Sequence, residues 1–371
     1  MKRIAAGLFF AAILLYNGVA AAETAARSAI LIEAKTGRVL YEQNAHEPLP
    51  MASTTKIMTA LIALENGDSD DPVTAGPNAY GVPGTSIYLS PGETLTLEQM
   101  LYGLMLASGN DAAVAVAEHI GGTVEEFCRM MTARAQEIGC ENTVFVTPHG
   151  LPAVGHHTTA WDLARIAQTA MRNPQFRQIV STQRVSLPWA GHDYDRVLTN
   201  KNKLLSAYPG ALGIKTGYTK AAGRCLVFAA EREGLTLIGV VLNCPDWFNQ
   251  ASSLLDQGFA EWQMVTVLNQ GETVRDIPVT DGDAASVRVV ASADVAAPVR
   301  LDAWPDLIID LPASLPAAIE QGRQVGTASL TDGGQVLVTV PLVTADDVPE
   351  STFRSHLRRI LAAWPIGVPA P

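Results

Sequence analysis

The pattern of apolar residues changes character near Val265, and this constrains the fold more than any other feature. Upstream, strand-like runs and helical periodicities alternate. Ala29–Glu33 and Arg38–Tyr41 read as a hairpin around Lys35-Thr36-Gly37. Ser53 to Glu65 reads as a helix, with Ile57, Leu61 and Leu64 at helical spacing and Asn66-Gly67 as a stop. Further helices are predicted over Leu97–Ala107, Asp111–Ile120, Val124–Ile138 and Ser252–Trp262. Thr159-Ala-Trp-Asp162 fits a capping box opening a helix to about Arg172. Pro209–Thr219 is a Gly-punctuated strand, and Cys225–Ala230 with Leu235–Asn243 form a hairpin. Downstream of Val265 the runs are β-branched and alternating, as in Ser286–Ala291, Leu307–Leu311 and Gln335–Val340. A mixed α/β (α+β) unit over residues 23–262, followed by an all-β module over 263–349, is therefore expected. The module carries no cluster of catalytic residue types, so a spacer or binding role is expected of it.

Both ends stand apart. Met1-Lys2-Arg3, the apolar run Ile4–Tyr16 and Ala20-Ala21-Ala22 have the three-part layout of a secretory signal over residues 1–22. Export would place the protein outside the cytoplasm. Removing Lys2 and Arg3 takes the net charge from −11 to −13. So acidic a chain is a poor nucleic-acid binder. No apolar run after Tyr16 is long enough to span a bilayer. Residues 350–371 form a tail in which Phe353, Leu357, Ile360, Leu361 and Trp364 share one helical face, with Arg354, Arg358 and Arg359 off it. Two readings stand for it: peripheral contact with a membrane interface, or docking on its own protein. The four cysteines, Cys128, Cys140, Cys225 and Cys244, are expected to be free. The first two flank a helix far longer than disulfide reach, and the hairpin turn near residue 232 puts Cys225 opposite about residue 240 rather than 244.

Three short segments could carry chemistry. In Ser53-Thr54-Thr55-Lys56 the helical i, i+3 spacing places Lys56 beside the Ser53 hydroxyl. A serine needs such a base, and lysine serves as one if burial or nearby positive charge depresses its pKa. The Ser53 N–H, in the first helical turn, is free to face an oxyanion. Ser108-Gly109-Asn110 breaks two helices and offers a second hydroxyl and an amide. Lys215-Thr216-Gly217 on an edge strand suits a carboxylate, with Gly217 admitting a substrate backbone and Tyr218 offering a second oxyanion N–H. Each segment alone is equally a cap or a turn. Lys35-Thr36-Gly37, a second copy at a hairpin tip, reads as turn chemistry.

Taken in order, Ser-x-x-Lys at 53, Ser-x-Asn at 108 and Lys-Thr-Gly at 215 resemble the penicillin-recognising serine acyl-transferases. Pro50-Met51-Ala52, Ser108-Gly-Asn-Asp-Ala112, Thr147-Pro-His-Gly-Leu151, Gly213-Ile-Lys-Thr-Gly-Tyr-Thr219 and Asn243-Cys-Pro-Asp-Trp-Phe248 are similar to segments of the low-molecular-mass D-alanyl-D-alanine carboxypeptidases. The resemblance implies an antiparallel sheet flanked by helices and a β-lactamase/transpeptidase-like fold. It implies Ser53 as the acylated nucleophile and Lys56 as its base. Ser108 and Asn110 would assist proton transfer and substrate binding, while Lys215 and Thr216 would hold the terminal carboxylate. The implied substrate is the D-Ala-D-Ala end of a peptidoglycan stem peptide, with β-lactams as covalent inhibitors and neither cofactor nor metal. Some members use an arginine for that carboxylate, just past the strand ending near Asn243. This chain has Pro245-Asp246-Trp247-Phe248 there, so the task falls to Lys215 and Thr216 or to an arginine from elsewhere, such as Arg224.

Other readings stay open. A β-lactamase shares the trio, but no Glu-x-x-Leu-Asn segment lies between Gly121 and Lys215 to activate water. His149, His156 and His157 cluster without a His-Glu-x-x-His motif, so they read as loop histidines rather than a zinc site. An endopeptidase or transpeptidase would use the same residues with another bond or acceptor. A non-catalytic exported wall-binding protein could keep the fold without turnover.

Overall fold

The computed structural model describes residues 24–354 and Leu357. The expected signal segment lies outside the described residues, as does most of the tail.

β1 (Ser28–Glu33) and β2 (Val39–Gln43) form the predicted hairpin. Its tip is tied by the Glu33 carboxylate, which accepts from the N–H groups of Lys35 and Thr36 at 2.7 Å each. This copy of Lys-Thr-Gly is thus committed to a turn. A single 3-10 turn, Ala52–Thr55, leads into α1 (Lys56–Asn66), where the sequence predicted one continuous helix from Ser53. A small ribbon, β3 (Pro72–Thr74) with β4 (Thr94–Thr96), precedes α2 (Leu97–Met105), α3 (Asn110–Gly121) and α4 (Val124–Ile138). α5 (Ala160–Met171), α6 (Pro174–Ser181) and a second ribbon, β5 (Arg184–Leu187) with β6 (Arg196–Thr199), follow. After the short α7 (Leu204–Ala207) come β7 (Ala211–Thr219), β8 (Gly223–Arg232), β9 (Leu235–Leu242) and α8 (Trp247–Glu261).

The main sheet is antiparallel in the order β2-β1-β9-β8-β7, so β7 is an edge strand. Both of its faces are covered. In β8, Cys225, Val227 and Ala229 pack with the helices α1 to α6, while Leu226, Phe228 and Ala230 pack against α8. The two-residue period of a strand sends alternate side chains into two separate cores. That is why these strands read as unbroken apolar runs rather than alternating ones. α1 is apolar nearly all round, and every residue from Lys56 to Ala63 is buried. A helix of that kind runs through a core rather than along a surface.

Three further sequence expectations need correction. The last helix of the first unit starts at Trp247 rather than Ser252, and Trp262 opens the next strand instead of ending the helix. The β8–β9 register pairs Arg232 with Leu235 and Leu226 with Val241, so the turn is centred on Glu233-Gly234, about one residue later than predicted. Cys225 then faces the end of β9, and all four cysteines are buried and free. At α5, Thr159 accepts from the Asp162 N–H as a cap should, at 3.0 Å. The Asp162 carboxylate, however, accepts from the Asn142 N–H (2.9 Å) and the Thr143 hydroxyl (2.7 Å). It pins the loop after α4 and so completes only half of a capping box.

The β-rich module begins with β10 (Trp262–Leu268), which pairs with β13 (Val295–Arg300). A six-stranded sheet contains β11 (Thr273–Thr280), β12 (Ser286–Ala291), β14 (Asp306–Asp310), β15 (Leu315–Pro316), β16 (Gln324–Asp332) and β17 (Gln335–Thr344). It buries its own apolar cluster around Val289, Ala328 and Leu342. Arg38 ties this module to the first. It donates to the Pro298 carbonyl at 2.8 Å and to Asp332 at 2.9 Å, and its guanidinium lies 4.7 Å from the centre of the Trp262 ring. In the tail, Phe353 is 84% exposed and Leu357 45% exposed.

Candidate active site

Ser53, Ser108, Asn110, Thr216, Gly217 and Tyr218 all line one cavity of about 600 Å³. It lies between the free edge of β7 and the helical lobe. Side chains from three distant stretches of sequence thus meet in one groove.

The 3-10 turn fixes Ser53. It is preceded by Ala52, whose φ of 48° lies in the left-handed region. Ser108, with a φ of 64°, is held in the same region. Each such non-glycine residue costs about 1–2 kcal/mol, and such strain concentrates at functional sites. Two glycines let the walls approach. A Cβ on Gly217 would sit 2.9 Å from the Ser53 backbone nitrogen, so only glycine lets β7 lie this close to the start of the helix. Gly150 has a φ of 86°, and a Cβ there would collide with the Ala52 carbonyl.

Lys56 is fully buried and its Nζ has three close neighbours. It donates to Asn110 Oδ1 at 2.7 Å and to the His149 carbonyl at 2.7 Å, and it lies 3.2 Å from Ser53 Oγ. Burial holds the amine well below its ordinary pKa, and the charges of Lys215 and Lys201 push in the same direction, offset in part by Asp111. A neutral amine has two N–H donors and one lone pair. Asn110 and His149 take both donors, which leaves the lone pair for the Ser53 hydroxyl.

Asn110 is itself held in place: its Nδ2 donates to the Pro83 carbonyl at 2.6 Å and its N–H to the Thr85 carbonyl at 2.7 Å. The Thr85 hydroxyl donates to the Ser108 carbonyl at 2.5 Å. Asp111, buried beneath, accepts from the Ser86 hydroxyl (2.5 Å) and from the N–H groups of Ile87 and Leu89 (3.1 Å each). This carboxylate pins the loop that backs Ser108 and Asn110. On the opposite wall Lys215 is buried and donates to the Thr216 carbonyl at 3.0 Å. Desolvation first, then the charge of Lys201, lowers its pKa to about 7.

The histidines do not gather as a metal site, and no group of metal-ligating side chains occurs among the described residues. His156 Nδ1 accepts from the Val146 N–H at 3.0 Å, so its Nε2 carries the proton and faces the Thr55 hydroxyl at 2.9 Å. Its role is to brace the turn beneath Ser53.

Of the residues that the sequence singled out, Ser53, Ser108, Asn110, Thr216, Gly217 and Tyr218 line the groove, while Lys56 and Lys215 are buried in its walls. Sequence reasoning missed Lys201, Lys203 and Thr85, which line the same cavity, and the pinning role of Asp111. Asp111 sits inside a segment that was legible. Lys201 and Lys203 had no spacing to mark them, because only the return of the chain from β6 to β7 brings them near Ser53.

The comparisons agree with this geometry. Residues 16–246 match the family model described as D-alanyl-D-alanine carboxypeptidase, and residues 262–350 match the penicillin-binding protein 5 C-terminal domain. The chain is 34% identical to the D-alanyl-D-alanine carboxypeptidase DacF of Bacillus subtilis, over 91% of this chain and 90% of that one. Penicillin binding protein 5 of Haemophilus influenzae superposes with a TM-score of 0.75 at 27% identity, covering 90% of this chain and 100% of its own. A DD-transpeptidase variant from Streptomyces superposes at 0.61 with 36% identity, covering 64% of this chain and 99% of its own. The chain belongs to the D-alanyl-D-alanine carboxypeptidase family of serine hydrolases.

Proposed function

We propose that the groove removes the terminal D-alanine from peptidoglycan stem peptides by acyl transfer through Ser53. The observation that carries this reading is the hydrogen-bond count at Lys56, which leaves a lone pair for Ser53 Oγ 3.2 Å away. Lys56 takes the hydroxyl proton as Ser53 Oγ bonds to the penultimate carbonyl carbon. The oxyanion is received by the N–H groups of Ser53 and Tyr218, brought together by the close approach at Gly217. The carbon–nitrogen bond breaks, and the proton passes through the Ser108 hydroxyl to the departing amine. Water then opens the ester with Lys56 again as base. Lys215 and Thr216 face the terminal carboxylate, and Asn110 orients Lys56.

Residues 23–262 form the catalytic unit in this reading, and 263–349 a β-rich accessory domain. The basic and apolar start of the chain supports export, so that the enzyme meets its substrate outside the cytoplasm. No described helix is long and apolar enough to cross a membrane. The exposed Phe353 and Leu357 support peripheral contact of the tail with a membrane interface.

The test is incubation with a synthetic pentapeptide ending in D-Ala-D-Ala, followed by mass analysis. Loss of one alanine is expected, and Ser53→Ala should abolish it. A ligated product would replace hydrolysis by transpeptidation, and an unchanged peptide would leave a binding protein. β-Lactams, which carry a strained amide beside a carboxylate, should leave a covalent adduct on Ser53.

A further inference from the structure

The groove is richer in positive charge than the three motifs account for. Lys201 and Lys203 line it together with Ser53, Ser108 and Thr216. They are presented by a pinned loop. Asn200 donates to the Val180 and Thr182 carbonyls at 3.1 Å each. The Asn200 Oδ1 receives the Asn202 N–H at 3.0 Å, and the Asn202 Oδ1 receives the Leu204 N–H at 3.1 Å. Asn202 is buried while Lys201 and Lys203 are exposed, so alternate residues turn inward and outward. The Lys201 N–H donates to the Leu106 carbonyl at 3.3 Å, which anchors it two residues before Ser108.

Reach decides which part of a substrate Lys201 can meet. A single residue follows the scissile bond, and one residue spans at most about 3.6 Å. The terminal carboxylate must therefore lie close to Ser53. Of the two directions along β7, the side with Lys215 and Thr216 holds buried cation and hydroxyl. The other side holds Arg224, which lies opposite Tyr218 and donates to the Pro245 carbonyl at 2.5 Å. Arg224 is thus spent on the chain that follows β9, which leaves that end of β7 to the acyl part of the peptide.

We infer that Lys201 is a specificity-determining residue that captures the terminal carboxylate of the substrate together with Lys215 and Thr216. Lys215 is fully buried and its pKa is lowered to about 7, whereas Lys201 is exposed and lies close enough for its charge to be felt at both Lys215 and Lys56. Among the described residues no carboxylate forms an ion pair with Lys201. The nearby Asp111 has its oxygens filled by the loop at Ser86 to Leu89. An arriving carboxylate supplies the missing anion.

The inference rests on the carboxypeptidase reading, and paired thioesters of an acyl-D-alanine separate the two. One has mercaptoacetate as its leaving group and so carries a carboxylate; the other is its methyl ester. Both are reactive enough to report acylation without carboxylate capture. Wild-type turnover of the carboxylate thioester tests the reading itself. Lys201→Met should lower kcat/KM for it by about tenfold to a hundredfold, chiefly through KM, as expected for losing a charge-assisted contact. The ratio of kcat/KM between the carboxylate thioester and its methyl ester should fall by a similar factor, since any effect on Lys56 acts on both alike, and Lys201→Arg should restore most of it. Equal losses on both thioesters with a shifted acid limb of the pH profile would make Lys201 a tuner of Lys56 and overturn the inference. No loss on either, or a wild type indifferent to the carboxylate, would overturn it too.

Discussion

Lys56 Nζ lies 2.7 Å from Asn110 Oδ1, a hydrogen bond that joins two motifs 54 positions apart in the sequence. The amide cannot accept a proton, so it orients the amine without competing for the base. The proposed catalytic unit is therefore a pair of motifs cross-braced through one side chain, rather than a tetrapeptide alone.

Lys56→Met should abolish acylation by penicillin and by peptide while leaving a folded protein. Trimming to alanine is a poorer test, because Lys56 ranks among the largest fully buried side chains and its removal would hollow the core. Losing a general base typically costs at least about 10²–10⁴-fold. Intact-mass spectra after β-lactam exposure, with circular dichroism as a control, measure both effects. Near-normal adduct formation would move the base to another group.

The alkaline limb of kcat/KM should belong to Lys215. Its pKa is lowered from 10.5 to about 7, so it is charged below that value and loses the charge as pH rises through it. Carboxylate capture should weaken in the same direction. Lys215→Arg keeps the charge at every working pH and should flatten this limb, whatever it does to the absolute rate. A limb unchanged in the variant would assign it elsewhere.

His156 should couple stability to pH. Burial first, then the charge of His157, lowers its pKa from 6.5 to about 4. Its neutral form is the one that braces Thr55. The folded state resists the proton that the unfolded chain accepts, so the contribution is full above pH 6.5 and is lost as pH falls toward 4. Between pH 7 and pH 5 this amounts to about 2 kcal/mol. Urea unfolding of His156→Gln should show a smaller difference between those two conditions than the wild type does. Equal differences would exclude His156 as the source.

Removing the tail should release the protein from anionic vesicles without changing soluble activity. The cut belongs after Thr352. Val348 is buried in the β-rich core, and Glu350 pairs with Gly282, so a cut after Val348 would damage the module itself. Co-sedimentation of the full and shortened chains measures the effect, and equal binding would favour the self-docking reading.

The fold was legible where local chemistry sets the backbone. The helix bounds at Asn66-Gly67 and Val124–Ile138 and the strand Ser286–Ala291 follow from caps and periodicity, and they appear as read. The motif residues were legible because each sits on a helix start, a helix break or a strand with its own signature. Lys201 was not, since its neighbours come from the pairing of β5 with β6 and from the path to β7. The tight entry turn at Ala52–Thr55 was not legible either. It depends on the collision avoided at Gly150, a hundred residues away in the chain.

β7 has a consequence beyond catalysis. A nine-residue edge strand with unpaired backbone is an open template for any extended chain, and proteins pay for leaving one uncovered by sticking to each other. Here Gly213 to Gly217 are buried, and only the two ends of the strand, Ala211-Leu212 and Tyr218-Thr219, meet solvent. A long foreign strand finds no room to zip along that edge, whereas a peptide with a free end can slip in by its tip. The packing that protects the protein from aggregation thereby favours chain ends over chain middles as substrates.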